Sequence, residues 1–319
     1  MSSELKPPII LLGNTRSGTT IVQQVMGAHP EIAEWYEPRT LWLYADPGRH
    51  HDEFDERDAT DPVKRHIRQQ FLKFQRQHGN RIVLEKTPAN ILKIPYVRAI
   101  FPEATYLFMV RNPFSFISSV EMKWQRTASV KGIRRRLQWT PITQLHHYAG
   151  RLIMQQVEKR ILRRKYTSLW GPRYKGIEQD LKTNDLLTVI ARQWSVCSRK
   201  AEQDLARFGQ GEVLRLKYEE FVQNPVADLE RICAHCGLTM TKAMVKAANE
   251  WVKPDRQLKW QRFHPHDLAR ILPEIADEMA RHGYTLPPEI AQAVENLPKE
   301  EGVSVNHALH RMGGIAQRV

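Results

Sequence analysis

Two short stretches carry residue types able to hold anions. The first, Gly13-Asn14-Thr15-Arg16-Ser17-Gly18-Thr19-Thr20, follows the apolar run Ile9-Ile10-Leu11-Leu12 and opens a helix-forming stretch. Its glycine spacing, G-x4-G followed by two hydroxyl residues, lets backbone N–H groups converge at a helix N-terminus, where phosphate or sulfate binds. A Walker A loop has Lys after the second glycine, reaching the β- and γ-phosphates. Here Thr19 stands at that place, and the cation, Arg16, lies inside the loop. The second stretch, Arg111-Asn112-Pro113, ends the apolar run Thr105 to Val110. A nucleoside triphosphatase commonly ends such a strand in an Asp that helps hold Mg²⁺; an Arg binds an anion and repels a metal. Ser119 falls about two turns along the next helix, on much the same face. Either stretch alone reads equally as a Gly-rich turn or a surface Arg. Both at the C-terminal ends of strands, where open α/β sheets bind ligands, read as two anion sites without a Mg²⁺ carboxylate.

The elements that must place these groups follow from pattern. Lys6 to Gly13 reads as a buried strand running into a turn, and Thr19 to Ala28 as a helix stopped before Pro30. Arg81 to Glu85 is a second strand. Thr105 to Val110 is a third, apolar throughout, as in a parallel sheet covered on both faces. Phe114 to Lys123 and Thr183 to Phe208 read as helices, Glu212 to Lys217 as a strand, and Val226 to Cys236 as a helix closed by Gly237. The last stretch of the chain reads as helical, with loops at Pro254, His264-Pro265 and Pro287-Pro288. Strands alternating with helices imply an α/β fold: a P-loop-type three-layer parallel sheet flanked by helices, with a basic helical insertion and a helical C-terminal part. The expected organisation is a single domain over 1–319, interrupted by an insertion over 121–182.

Composition excludes several classes. The chain has 319 residues, 41% hydrophobic and 26% charged, which is the make-up of a globular protein. Three cysteines exclude a disulfide framework. No apolar run approaches the roughly 18 residues of a membrane span, and the N-terminal residues lack the pattern of a signal peptide. With Met1 as the native start, a cytoplasmic location is expected. The 48 Lys+Arg exceed the 35 Asp+Glu by 13. That excess is local: residues 121–175 hold 14 Lys+Arg and 2 Asp+Glu, a net +12. Within them Leu145, Tyr148, Leu152, Ile153, Val157 and Ile161 fall at helical spacing among arginines and lysines, a basic amphipathic helix. It is either a solvated helix with one face on the core, or an element that binds an acceptor or an anionic membrane surface.

At these motifs the chain resembles the sulfotransferase superfamily that uses 3′-phosphoadenosine 5′-phosphosulfate (PAPS). The family's 5′-phosphosulfate loop, [KR]-S-G-T-[ST], is matched by Arg16-Ser17-Gly18-Thr19-Thr20. Its 3′-phosphate motif, R-[DN]-P-x5-S, is matched by Arg111 through Ser119, and Y-E-[DE]-[LF]-x3-P by Tyr218 through Pro225. The resemblance implies that Tyr218 lies near the adenine. It is strongest to the branch with tyrosylprotein sulfotransferases and bacterial relatives, through His29-Pro30-Glu31, Glu37-Pro38-Arg39 and Lys86-Thr87-Pro88. Ile21 replaces the Trp that stacks on adenine in cytosolic members. The R-K-G closing segment is absent, and Lys259-Trp260 is the substitute offered here.

The resemblance implies in-line attack of an acceptor hydroxyl or amine on sulfur. Arg16 and the loop N–H groups would hold the 5′-phosphate, Lys86 and Arg16 would offset charge on the bridging oxygen, and Glu37 would take the proton. A carboxylate base should be partly buried; the competing reading pairs Glu37 with Arg39. Glu34, His50 and His51 are fallbacks. No metal is required. Cys233-Ala-His-Cys236 lacks a second ligand pair for zinc and reads as structural; His146-His147 and His264/His266 read as ordinary surface or loop histidines. The acceptor (carbohydrate, lipid headgroup, small alcohol or phenol, or peptide tyrosine) is open, and the basic segment points to an anionic or membrane-presented one. The rival readings are a P-loop kinase or NTPase and a non-enzymatic nucleic-acid-binding protein. Thr19 and Arg111 oppose the first. The second lacks any recognition signature, so no nucleic-acid partner is expected.

Overall fold

The computed structural model describes residues 4–124, 171–253, 259–297 and 299–316. Five parallel strands, β1 Ile9–Gly13, β2 Ile32–Tyr36, β3 Ile82–Lys86, β4 Thr105–Val110 and β5 Val213–Lys217, form one sheet in the order β2-β3-β1-β4-β5. The described helices are α1 Thr19–Gly27, α2 Asp61–Gln77, α3 Ile94–Ile100, α4 Pro113–Trp124, α5 Ile177–Thr183, α6 Leu186–Leu205, α7 Tyr218–Gln223, α8 Pro225–His235 and α9 Lys242–Trp251, followed by α10 Pro265–Arg270, α11 Leu272–Arg281, α12 Pro288–Glu295 and α13 Lys299–Ala316.

Successive side chains leave a strand on opposite faces, and here both faces are apolar. Ile10, Leu12, Val83 and Phe108 meet Ile67 and Phe71 of α2, Val97 of α3 and Cys197 of α6. Ile9, Leu11, Leu84 and Met109 meet Val22 and Val25 of α1, Ile232 of α8 and Met244 of α9. The result is the three-layer α/β arrangement that the alternation of elements implies. A third core joins α4, Trp194 of α6 and the C-terminal helices.

The register sets which strand ends lie side by side. Tyr36 pairs with Lys86, Gly13 with Met109, and Val110 with Lys217. The residues just beyond each strand therefore gather at one edge, with the β1 loop between the β2–β3 ends and the β4–β5 ends.

Three features differ from the sequence pattern. The edge strand β2 was not expected, because Ile-Ala-Glu-Trp-Tyr is short and carries the exposed Glu34. Helix α2 was not expected either; it is polar apart from one buried stripe, Val63, Ile67, Phe71 and Phe74. The helix expected over 183–208 starts later, as α6 from Leu186, because the Asp185 carboxylate accepts from Thr188 N and caps it; the short α5, which ends at Thr183, precedes it and was not expected. Pro265 and Pro288 begin helices, at the first position where a missing N–H costs nothing. The basic amphipathic helix expected around 145–161 lies outside the described residues. Among the described residues no helix is long and apolar enough to cross a membrane.

Candidate functional site

The loop after β1 is held open by its backbone. Arg16 and Gly18 take left-handed φ angles of 60° and 89°, and Ser17 N closes a turn on Asn14 O. For Arg16 that conformation costs on the order of 1–3 kcal/mol. Gly18 is the N-cap of α1; no side chain caps this helix, and its first turn has no acidic residue. The first N–H groups of such a helix have no partner within it and are suited to hold an anion.

The second anion motif closes on this loop. Arg111 donates to Arg16 O at 2.7 Å, and Arg16 Nε donates to Ser119 Oγ at 2.9 Å. The Arg111 guanidinium lies 4.2 Å from the centre of the Tyr218 ring, within cation–π range. That ring in turn covers Gly18: a Cβ there would lie 2.2 Å from Tyr218 Cδ2. Arg16, Gly18, Arg111, Ser119 and Tyr218 are thus one cluster. Ser17 Oγ and Arg111 Nε are buried without a hydrogen-bond partner among the described residues. Buried polar groups are rarely left so. One orphan in each motif fits a ligand with two separate anionic groups, as PAPS has.

Glu219, beside Tyr218, braces the cluster. Its carboxylate accepts from Asn112 N at 3.1 Å and from the Tyr284 hydroxyl at 2.9 Å. This tethers the start of α4 to α7 and to the segment after α11.

On the other side of the loop stands a second group. Lys86 ends β3 with its side chain 1% exposed; Nζ donates to Glu37 Oε1 at 2.8 Å and to Thr20 Oγ1 at 3.1 Å. The same ammonium lies 4.1 Å from the Tyr36 ring centre. A buried lysine without a partner would cost several kcal/mol, so Glu37 and Tyr36 are what allow it here. The Glu37 side chain is 24% exposed, the part-buried setting expected of a base. Its φ is 49°, left-handed, although it precedes Pro38 and such a residue is normally pushed towards extended backbone.

The ion pair weighed for Glu37 does not form. Arg39 binds Asp52 instead, at 2.8 Å. Asp52 is fully buried and also accepts from the Arg173 backbone N at 2.8 Å and from its guanidinium. Burial alone would raise the Asp52 pKa, but Arg39, Lys93 and Arg173 hold it well below the usual carboxylate range. Lys93, fully buried against Phe54, is lowered by that burial to about 8 despite Asp52. Glu85, next to Lys86, takes hydrogen bonds from Trp42 Nε1 at 3.0 Å and Asn90 Nδ2 at 3.1 Å. Burial pushes its pKa up to about 7.

Among the described residues Lys259 makes no hydrogen bond or ion pair with the Arg111–Ser119 cluster, though its turn packs on α4, the helix that carries Ser119. Lys259 is exposed, at the start of a 3-10 turn that packs Trp260 on Phe114 and ties Arg262 to Ser118. The fallback bases also lie elsewhere: Glu34 is exposed on the edge strand, His50 faces Glu178, and His51 accepts from Glu53 N. All three cysteines are free, and burial pushes Cys236 up to about 12, the state of an inert thiol. No cluster of metal-ligating side chains exists among the described residues. Glu219 lay inside a recognised motif and was legible. Tyr36, Asp52, Arg173 and Tyr284 had no local signal.

A family model described as "Sulfotransferase family" matches residues 7–169 and 160–242, and the chain belongs to that family. It is 28% identical over 142 residues to nodulation protein NoeE of Sinorhizobium fredii, covering 39% of this chain and 34% of that protein. It is 32% identical over 124 residues to protein-tyrosine sulfotransferase 2 of Gallus gallus, covering 35% of this chain and 33% of that protein. The chain thus spans about a third of the length of these relatives. The sulfotransferase domain from the curacin biosynthetic pathway has the same fold, with a TM-score of 0.53 at 14% identity over 89% of this chain and all of that one.

Proposed function

We propose that this protein transfers a sulfuryl group from PAPS to a hydroxyl or amine of an acceptor, by in-line displacement and without a metal. The observation that carries the reading is the placement of the Glu37–Lys86 pair beside the loop, through Thr20, opposite the Arg111–Ser119 cluster. PAPS, when bound, supplies an activated sulfuryl group on its 5′-phosphate. The loop N–H groups and Ser17 bind that phosphate, and Arg111 and Ser119 the 3′-phosphate. Arg16, held by Ser119, links the two. Lys86 faces the bridging oxygen and offsets its developing charge, and Glu37 accepts the acceptor proton. The kinase reading is disfavoured by Thr19 and Arg111, which stand where a Lys and an Asp would be needed.

The acceptor would enter beside Glu37. Gly171, where the described chain resumes after the basic stretch, lies against Thr15 of the loop, and its carbonyl accepts from Arg39. This supports the basic residues of 121–175 as an acceptor-side feature, suited to an anionic acceptor or one at the inner surface of a membrane. The name of the Gallus gallus relative makes a peptide tyrosine one acceptor to test. A cytoplasmic, membrane-peripheral setting belongs to the same reading, as does a single sulfotransferase domain over 1–319.

The test is transfer of ³⁵S from labelled PAPS into acceptor panels by wild type and Glu37→Gln. Loss of roughly 10²-fold or more in turnover is expected, with the thermal shift given by adenosine 3′,5′-bisphosphate retained. A larger shift with Mg²⁺-ATP than with the bisphosphate would overturn the reading.

A further inference from the structure

We infer that Asp52 is a positioning residue that acts through Arg39 to hold Glu37 in its left-handed backbone against Lys86. The inference rests on the sulfotransferase reading for the role of Glu37, and on geometry for the rest. Glu37 is strained twice, by its positive φ and by the proline after it. Such a conformation persists only where neighbours over-determine it. Three contacts do so: Glu37 N donates to Lys86 O at 3.1 Å, Arg39 N donates to Glu37 O at 2.7 Å, and Glu37 Oε1 accepts from Lys86 Nζ. Two of these run to β3, which is fixed in the sheet. The third runs to Arg39, a loop residue that needs an anchor of its own.

Asp52 supplies that anchor. Its Oδ2 accepts from Arg39 and from Arg173 N, its Oδ1 from the Arg173 guanidinium, and its own N–H donates to Arg173 O at 2.7 Å. Arg39 also donates to Gly171 O. The backbone bond from Asp52 N to Arg173 O, with the bonds from Arg173 to the carboxylate, fixes Asp52 in a fully buried site, so the guanidinium it grips is held in place. Relaxation of the 37–39 turn would carry Glu37 away from Lys86 and from the acceptor.

The test uses the full chain with Arg39→Met, Arg39→Lys and Asp52→Asn, each alone and combined with Glu37→Gln. Arg39→Met is expected to lower kcat at least tenfold, with acceptor KM within twofold and the bisphosphate thermal shift unchanged; Arg39→Lys should recover part of the loss. In the Glu37→Gln background the same change should cost less than twofold, because the group it positions is gone. A raised acceptor KM with intact kcat would mean that Arg39 touches the acceptor and would overturn the inference, as would a full additional loss in the Glu37→Gln background. Asp52→Asn leaves two buried cations, Lys93 and Arg173, and the half-buried Arg39 with a weakened partner; should it not fold, the Arg39 variants still decide.

A readout independent of turnover separates this inference from the function itself. Lys86 should resist reductive methylation in wild type and react in Arg39→Met, read by peptide mass spectrometry. Protection retained in the variant would sink the positioning role even in an active enzyme. Protection lost would support it even were no sulfuryl transfer found, which would count against the proposed function alone.

Discussion

The ring of Tyr218 rests on Gly18 so closely that no side chain fits between them. One contact thereby joins the phosphate loop, whose glycine also needs its φ of 89°, to the end of β5. Gly18→Ala should suffer both faults: strain of about 1–3 kcal/mol from the backbone and displacement of Tyr218. Loss of several degrees in Tm and of most bisphosphate affinity is expected. Adding Tyr218→Ala should recover part of the Tm but not the affinity, because only the steric fault is relieved.

Arg111 is gripped by its geometry as well as its charge, through its bond to Arg16 O and its stacking on Tyr218. Lysine keeps the charge but has neither the fork nor the plane. In wild type, adenosine 3′,5′-bisphosphate should stabilise the protein more than adenosine 5′-phosphate. In Arg111→Lys that difference should fall to near zero, with the shift from the 5′-phosphate little changed. Differential scanning fluorimetry reads both.

Lys86→Met removes a buried ammonium and keeps the stem's volume. Turnover should fall by roughly 10²-fold or more, the scale of losing one preorganised charge at a developing anion. The fold should tolerate the change, since the Glu37 carboxylate left behind is partly solvated. Steady-state transfer assays with a melting curve distinguish the two effects.

Glu85 gives a pH dependence of definite sign. Its folded pKa, about 7, lies above its ordinary 4.5, so folding takes up a proton between these values. Its contribution is full below about pH 4.5 and is lost as pH rises through 7. Glu85→Gln keeps an acceptor for Trp42, and the Asn90 amide can turn its unpartnered oxygen to meet the new NH₂. The stability of the variant relative to wild type should therefore rise across pH 5–8, by an amount on the order of a few kcal/mol. Urea midpoints at several pH values measure this difference free of other titrating groups such as His282, which burial lowers to about 4.

What was legible in the chain follows from how local each signal was. β4 could be read to the residue because Tyr106 to Val110 are five apolar residues in a row, as suits a strand covered on both faces. The anion motifs were legible because each is built within a short stretch directly after a strand. Edge strand β2 and the polar helix α2 escaped, since one is short with an exposed Glu34 and the other shows only a narrow apolar stripe. Proximity in sequence offered Glu37 as a partner for Arg39, the competing reading, but in the fold its partner is Asp52. Asp52 and Arg173 lie 121 residues apart, and nothing in either segment announces the other.

The register that sets Tyr36 beside Lys86 and Val110 beside Lys217 also bears on how such a chain can diverge. The β1 loop is a partition. In the proposed reading Glu37 and Lys86, at the ends of β2 and β3, act on the transferred group, while Arg111 and Tyr218, just after β4 and β5, hold the donor. On that reading the surroundings of Glu37 can be rewritten without disturbing the cluster on the far side of the loop.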